Sequence, residues 1–222
     1  MAERFRVVSS HPLRYLLSVP SETGRPAERF PLLCFLHGYG EAAPRDIRRA
    51  LTLHGPLRAS SAARAREEFI IVAPQLLIGG DLWSRYADVL RQIVSEVRSE
   101  HGGDPRRLYL TGFSFGGNGV FDLGAAQPDL WAALWAVDPT RPPSKKLKRP
   151  VWLSFGEVSR ARKQAFVDGL GLHPALANEG KIPDSDRVWL DEGLDHVGSA
   201  TSAYADDRIY GWLLSKTLRP GK

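Results

Sequence analysis

An α/β fold, with a mostly parallel sheet and helices on both faces, is predicted by three observations in this 222-residue chain. First, short apolar or β-rich runs recur at 32–36, 69–73, 108–111, 131–137 and 151–155. Unbroken apolarity over so few residues is the pattern of a strand covered on both faces. Second, segments with helical spacing lie between them, the clearest being 81–99. Its apolar residues Leu82, Tyr86, Val89, Leu90, Ile93 and Val97 fall on one face, with charges opposite. Third, the residues with chemical capability fall just past the carboxyl ends of the predicted strands, where parallel sheets place their ligand sites.

In chain order, residues 5–9 and 13–19 read as two short strands, followed by a polar, turn-rich connection over 20–31. The strand 32–36 runs into His37-Gly-Tyr-Gly-Glu41. An arginine-rich stretch with His54-Gly-Pro56 follows and is expected to hold one irregular helix. Pro74 closes the strand 69–73, and Gly102-Gly103 stops the helix 81–99. The strand 108–111 leads to a glycine-bracketed turn at Ser114, then to a helix over about 118–126 that Pro128 ends. Strands 131–137 and 151–155 end in Asp138-Pro139 and Gly156-Glu157. A helix is expected over 160–170, a loop over 173–186, a last strand over 187–190 and one closing helix over 204–218.

Gly112-Phe-Ser-Phe-Gly116 fits G-x-S-x-G, a strand–turn–helix corner that presents a serine hydroxyl in strained geometry. Glycine is needed on either side because a side chain there would strike the neighbouring strand or helix. Ser114 then stands at a helix start, where unpaired N–H groups favour developing negative charge.

Composition narrows the function classes. Hydrophobic residues at 43% and charged residues at 25% suit a soluble domain. The net charge is +5, yet the basic residues are scattered, with one short cluster from Lys145 to Arg149. No basic motif interleaved with aromatics accompanies them, so no nucleic-acid partner is expected. No membrane insertion is expected either, and the chain is expected to be a monomer or homodimer. The single cysteine, Cys34, lies in an apolar run and reads as a core residue. The first residues have no apolar signal core, and no run approaches membrane-spanning length, which predicts a cytoplasmic protein.

Several motifs, in this order, resemble the α/β-hydrolases. They are His37-Gly-Tyr-Gly-Glu41, His54-Gly-Pro56, Val72-Ala-Pro-Gln75, Asp104 to Gly112, Phe113-Ser-Phe-Gly-Gly-Asn-Gly119, and the tail from His196 through Ala203-Tyr-Ala-Asp206 to Trp212. The resemblance is to the small phospholipase/carboxylesterase group, which includes predicted peptidases, feruloyl esterases and polyhydroxybutyrate depolymerases. It implies a single-domain α/β-hydrolase fold over residues 1–222 without a large lid. It also implies a serine carboxylesterase mechanism with no metal or organic cofactor, acting on a small-molecule ester.

Under that resemblance Ser114 is the nucleophile and His196, after the last strand, its general base. The backbone N–H groups of Tyr39 and Phe115 form the oxyanion hole. His37, His54 and Glu41 are expected to hold loops. Tyr39 and Phe115 are expected to face the site, while Phe113, Trp83, Trp135 and Trp152 are available to line an apolar pocket. The triad acid departs from the family pattern, because Ser159 stands where the usual aspartate would be. Asp138 is the first candidate and Glu157 the alternative, with Asp191 or Asp195 behind them. A peptide or thioester hydrolase with the same nucleophile stays open. So does a binding protein with no working acid.

Overall fold

The computed structural model describes residues 5–21, 29–159, 163–175, 187–191 and 193–218. Among them nine strands form one sheet: β1 Arg6–Val8, β2 Tyr15–Ser18, β3 Phe30–Leu36, β4 Ile70–Pro74, β5 Gly103–Phe113, β6 Ala133–Val137, β7 Val151–Gly156, β8 His173–Ala175 and β9 Arg187–Asp191. Their spatial order is β1-β2-β4-β3-β5-β6-β7-β9-β8. β1 and β2 form an antiparallel edge, and the seven strands from β3 onward are parallel. β5, which leads to Ser114, is central to the sheet.

Strand alternation divides the core in two. In β3, Leu32, Cys34 and Leu36 point to one layer, and Leu33 and Phe35 to the other. Helices α3 Ala87–Glu100, α4 Phe115–Ala126 and α5 Lys163–Leu170 pack on the first face through Leu90, Ile93, Phe121 and Phe166. Helices α1 Ile47–Leu51, α2 Ala63–Glu68, α6 His196–Ala205 and α7 Asp207–Leu214 pack on the second through Leu51, Ala65, Tyr204 and Leu213. Each fully buried large aliphatic or aromatic side chain contributes about 1.5–3 kcal/mol. Among the described residues no helix is long and apolar enough to cross a membrane.

The elements differ from expectation in several places: β5 already begins at Gly103 and not at 108, and α4 begins at Phe115 and not near 118. The arginine-rich stretch holds two short helices, α1 and α2, rather than one. Residues 83–86 form a 3-10 turn before α3 begins. Part of the expected loop at 173–186 is an edge strand, β8, whose Pro174 needs no ladder donor at the outer rim, while 176–186 lie outside the described residues. The single closing helix is two helices, with Asp206 capping α7 through Arg208 N–H, and His196 is the first residue of α6. A capping aspartate can start a new helix where periodicity alone reads straight through.

Candidate active site

β5 ends at Phe113, and α4 starts at Phe115. Ser114 between them has φ 57°, a left-handed conformation that non-glycine residues rarely adopt. A Cβ at Gly116 would lie 1.9 Å from Leu36 O, and one at Gly112 2.4 Å from Gly116 O. Glycine at these two positions lets α4 start directly against the end of β3. The corner is thus fixed by backbone contact on both sides, and Ser114 stands at the carboxyl end of the sheet.

Three side chains from three strand ends meet there. His196 Nε2 lies 2.8 Å from Ser114 Oγ, and His196 Nδ1 lies 2.7 Å from Asp138 Oδ2. An ionised carboxylate only accepts, so Nδ1 carries the proton, and Nε2 is left to accept from the serine hydroxyl. Asp138 is fully buried and His196 is about one-third exposed, with 34% of its side chain accessible. Asp138 also has a positive φ, 41°, and its N–H donates to Ser154 O at 2.7 Å, which pins it to the end of β7.

The surroundings of Asp138 explain how an acid at the end of β6 reaches the histidine. Asn118 Oδ1 accepts from Thr140 N–H at 2.9 Å, and its amide donates to Thr140 Oγ1 at 2.6 Å. These bonds clamp the loop after β6 onto α4. Ser159 Oγ lies 2.9 Å from Asp138 Oδ1 and 2.8 Å from Gly156 O, and the single hydroxyl proton serves one acceptor at a time. Ser199 Oγ, one turn along α6 from His196, is 3.4 Å from Asp138 Oδ2. Ser159, at the position where the resemblance led to the expectation of an acid, therefore bonds Asp138. Sequence reasoning missed Asn118, Ser159 as a partner, and Ser199. The only available signal was a serine at 159 where an acid would otherwise stand.

Among the described residues, no other carboxylate is hydrogen-bonded to the His196 ring as Asp138 is. Glu157, the alternative acid of the sequence reading, is exposed, and its Oε2 accepts from Gly193 N–H at 2.6 Å, so the structure does not bring it together with Ser114 and His196 as it does Asp138. Asp195 caps α6 by accepting from Gly198 N–H at 2.7 Å. The Asp191 side chain lies outside the described residues.

On the other side of Ser114, the turn after β3 closes in. A Cβ at Gly38 would lie 3.4 Å from Ser114 Cβ and 2.9 Å from Glu41 Oε2. His37 holds this turn, donating from Nδ1 to Gly38 O at 2.6 Å while Nε2 accepts from Leu76 N–H at 2.9 Å. Burial pushes the His37 imidazole down to about 4, partly offset by the bond to Gly38. His54 is likewise lowered to about 4, by burial and then by Arg58. It forms no loop-holding hydrogen bond of the kind expected: Nε2 is 3.6 Å from Glu41 Oε1 and Nδ1 has no partner. Its ring packs instead on Phe113, centroids 4.8 Å apart, and Phe113 in turn packs on His196 at 4.6 Å. Burial raises the Glu41 carboxyl above its usual range.

The buried histidines give a pH prediction. The unfolded chain takes up a proton on His37 near pH 6.5, whereas the folded chain does so only near 4. Stability held by neutral His37 is complete above 6.5 and is lost as the pH falls toward 4. The denaturant midpoint is expected to drop across that window. A midpoint that stays flat there would contradict a neutral, buried His37.

Of the aromatics available for a pocket, Trp83, Trp135 and Trp152 are core residues, each at most 1% exposed. Tyr39 is 63% exposed and Phe115 is partly exposed, with their rings edge-on at 6.1 Å. Among the described residues no group of three or more His, Cys, Asp or Glu side chains is arranged to hold a metal ion.

No protein-family model matches the chain, and no curated relative does. Solved structures do match. A thermostable esterase superposes with a TM-score of 0.71 at 21% identity, over 97% of this chain and 63% of the esterase. The chain thus spans less than two-thirds of that protein's length. The fold is that of the α/β-hydrolases. A mutant of the Clostridium thermocellum feruloyl esterase module, complexed with sinapinate, matches at 0.66 and 14% identity over 95% of this chain and 89% of its own. The fluorophosphonate-binding serine hydrolase F of Staphylococcus aureus matches at 0.67 and 12% identity, over 95% and 98%. Identities this low carry the α/β-hydrolase fold alone.

Proposed function

We propose that this protein hydrolyses carboxylic esters through an acyl-enzyme formed on Ser114. The observation that carries the reading is the continuous hydrogen-bonded chain from Ser114 Oγ through His196 to buried Asp138, at 2.8 and 2.7 Å. In this reading the serine oxygen attacks the ester carbonyl as His196 Nε2 takes its proton. Charge moves to the carbonyl oxygen, toward the N–H groups of Tyr39 and Phe115, each the first residue of a helical turn and so without an intrahelical acceptor. The C–O bond to the alcohol breaks, and His196 returns the proton to the leaving oxygen. Water, deprotonated by His196, then releases the acid and restores Ser114. Asp138 holds Nδ1 protonated and stabilises the imidazolium at each stage.

The proposed substrates are short-chain or small aryl esters. Partial exposure of Ser114 and His196 supports a mouth open to dissolved substrate. The test is turnover of p-nitrophenyl acetate and butyrate in solution, with stoichiometric labelling of Ser114 by a fluorophosphonate. Both are expected. A protein that neither turns over these esters nor takes the label lacks a working nucleophile, and the fold would then serve binding alone.

A further inference from the structure

Eight large hydrophobic side chains are conspicuously exposed among the described residues, and Val19, which follows the residue paired with Ile71, lies at the amino end of the parallel strands. Four of the others lie on two neighbouring segments, the turn after β3 and the loop after β4 on which the Tyr39 ring rests: Tyr39 at 63%, Leu77 at 50%, Ile78 at 67% and Leu82 at 44%. A surface cluster of this kind on an otherwise polar protein marks a place where something apolar binds.

The cluster is held rigidly against the catalytic turn. Leu76 N–H donates to His37 Nε2, and Trp83 Nε1 to His37 O at 3.4 Å, so the loop carrying Leu77, Ile78 and Leu82 is pinned at both ends on the residue preceding Gly38. The Tyr39 ring lies over this loop so closely that a Cβ at Gly80 would come within 2.6 Å of it. Phe115, next to Ser114, meets the same ring edge-on. Phe115, the Tyr39 ring and the loop that carries exposed Leu77 and Ile78 thus lie one beside the next, starting from the neighbour of the nucleophile.

Sheet order assigns its side. Tyr39 follows β3 and Leu77 follows β4, on one side of β5, whereas His196 and Asp138 follow β9 and β6 on the other. The leaving alcohol must stay within reach of His196 Nε2 to receive its proton. With the alcohol held at His196 and the carbonyl oxygen at the N–H groups of Tyr39 and Phe115, the acyl chain is the remaining substituent, and the apolar side chains beside the Tyr39 turn are the surface open to it. We propose that Tyr39, Leu77, Ile78 and Leu82 form an acyl-binding shelf which, within the short-chain esters proposed above, favours the longer apolar acyl groups, up to about six carbons, over acetyl. This rests on the ester-hydrolase reading and sets its substrate preference.

The test compares kcat/KM for p-nitrophenyl acetate and hexanoate, both below their solubility limits, in wild type, Leu77→Ser/Ile78→Ser and Val19→Ser. Wild type is expected to favour hexanoate by about tenfold or more, since each buried methylene adds to transition-state binding. The shelf variant is expected to lose about tenfold of that preference, and Val19→Ser to keep it. Acetate turnover in each preparation reports that the protein is folded and that the ester reading stands, so its loss in wild type is distinguishable from failure of the shelf. An equal preference in wild type, or one that survives in the shelf variant, overturns the proposal. A second titration carries hexanoate through its solubility limit, and a rate that rises only once the ester forms a separate phase also overturns the proposal, because the surface would then dock on a lipid interface.

Discussion

Ser114→Ala is expected to lower kcat/KM for p-nitrophenyl acetate by about four orders of magnitude or more. The substitution removes the oxygen that forms the acyl bond and leaves His196 with no proton to accept. The N–H groups of Tyr39 and Phe115 and the cleft remain, so a small residual rate over water is consistent with the proposal. The fold should survive, because the positive φ of 57° is imposed by the backbone packing at Gly112 and Gly116 and not by the serine side chain. The measurement is steady-state turnover beside a thermal melt. A variant that keeps more than about one per cent of the wild-type rate with an unchanged melt would rule out Ser114 as the nucleophile.

The second large effect concerns the acid. Asp138→Asn is expected to reduce kcat by about 10³- to 10⁴-fold with little change in shape. An asparagine that keeps its oxygen on Ser159 turns its amide N–H toward His196 Nδ1, which must then accept. The imidazole proton moves to Nε2, the atom that has to receive the proton of Ser114. Ser159→Ala removes one hydrogen bond to a carboxylate that is 0% exposed, and about a tenfold loss in kcat with KM little changed is expected. Glu157→Gln should stay near wild type, because that side chain caps Gly193 and does not face the imidazole. Turnover of the three variants side by side decides the matter. If Glu157→Gln falls as far as Asp138→Asn, the acid has been misassigned.

Much of this arrangement was legible in the chain. The apolar runs at 32–36, 69–73 and 151–155 become β3, β4 and β7, because continuous apolarity has few other uses in so short a segment. Element ends were less legible. The break at Asp206 and the start of α6 at His196 depend on capping aspartates whose side chains turn back onto backbone N–H groups. A periodic pattern carries no record of that choice.

The sequence by itself determined the parallel α/β class and the corner at Ser114. Both are local: one follows from apolar periodicity, the other from glycines spaced about a serine on a strand-to-helix turn. The tertiary structure decided which carboxylate faces His196. Asp138 and Glu157 each end a strand, and only the path of the loop after β6, clamped by Asn118 and bonded by Ser159, brings one carboxylate to 2.7 Å across 58 residues of chain. It also decided that Leu77 and Ile78 stand exposed next to Tyr39, through a histidine bond spanning 39 residues. Contacts of that reach depend on where strand ends lie in the sheet, and neither composition nor spacing encodes strand order.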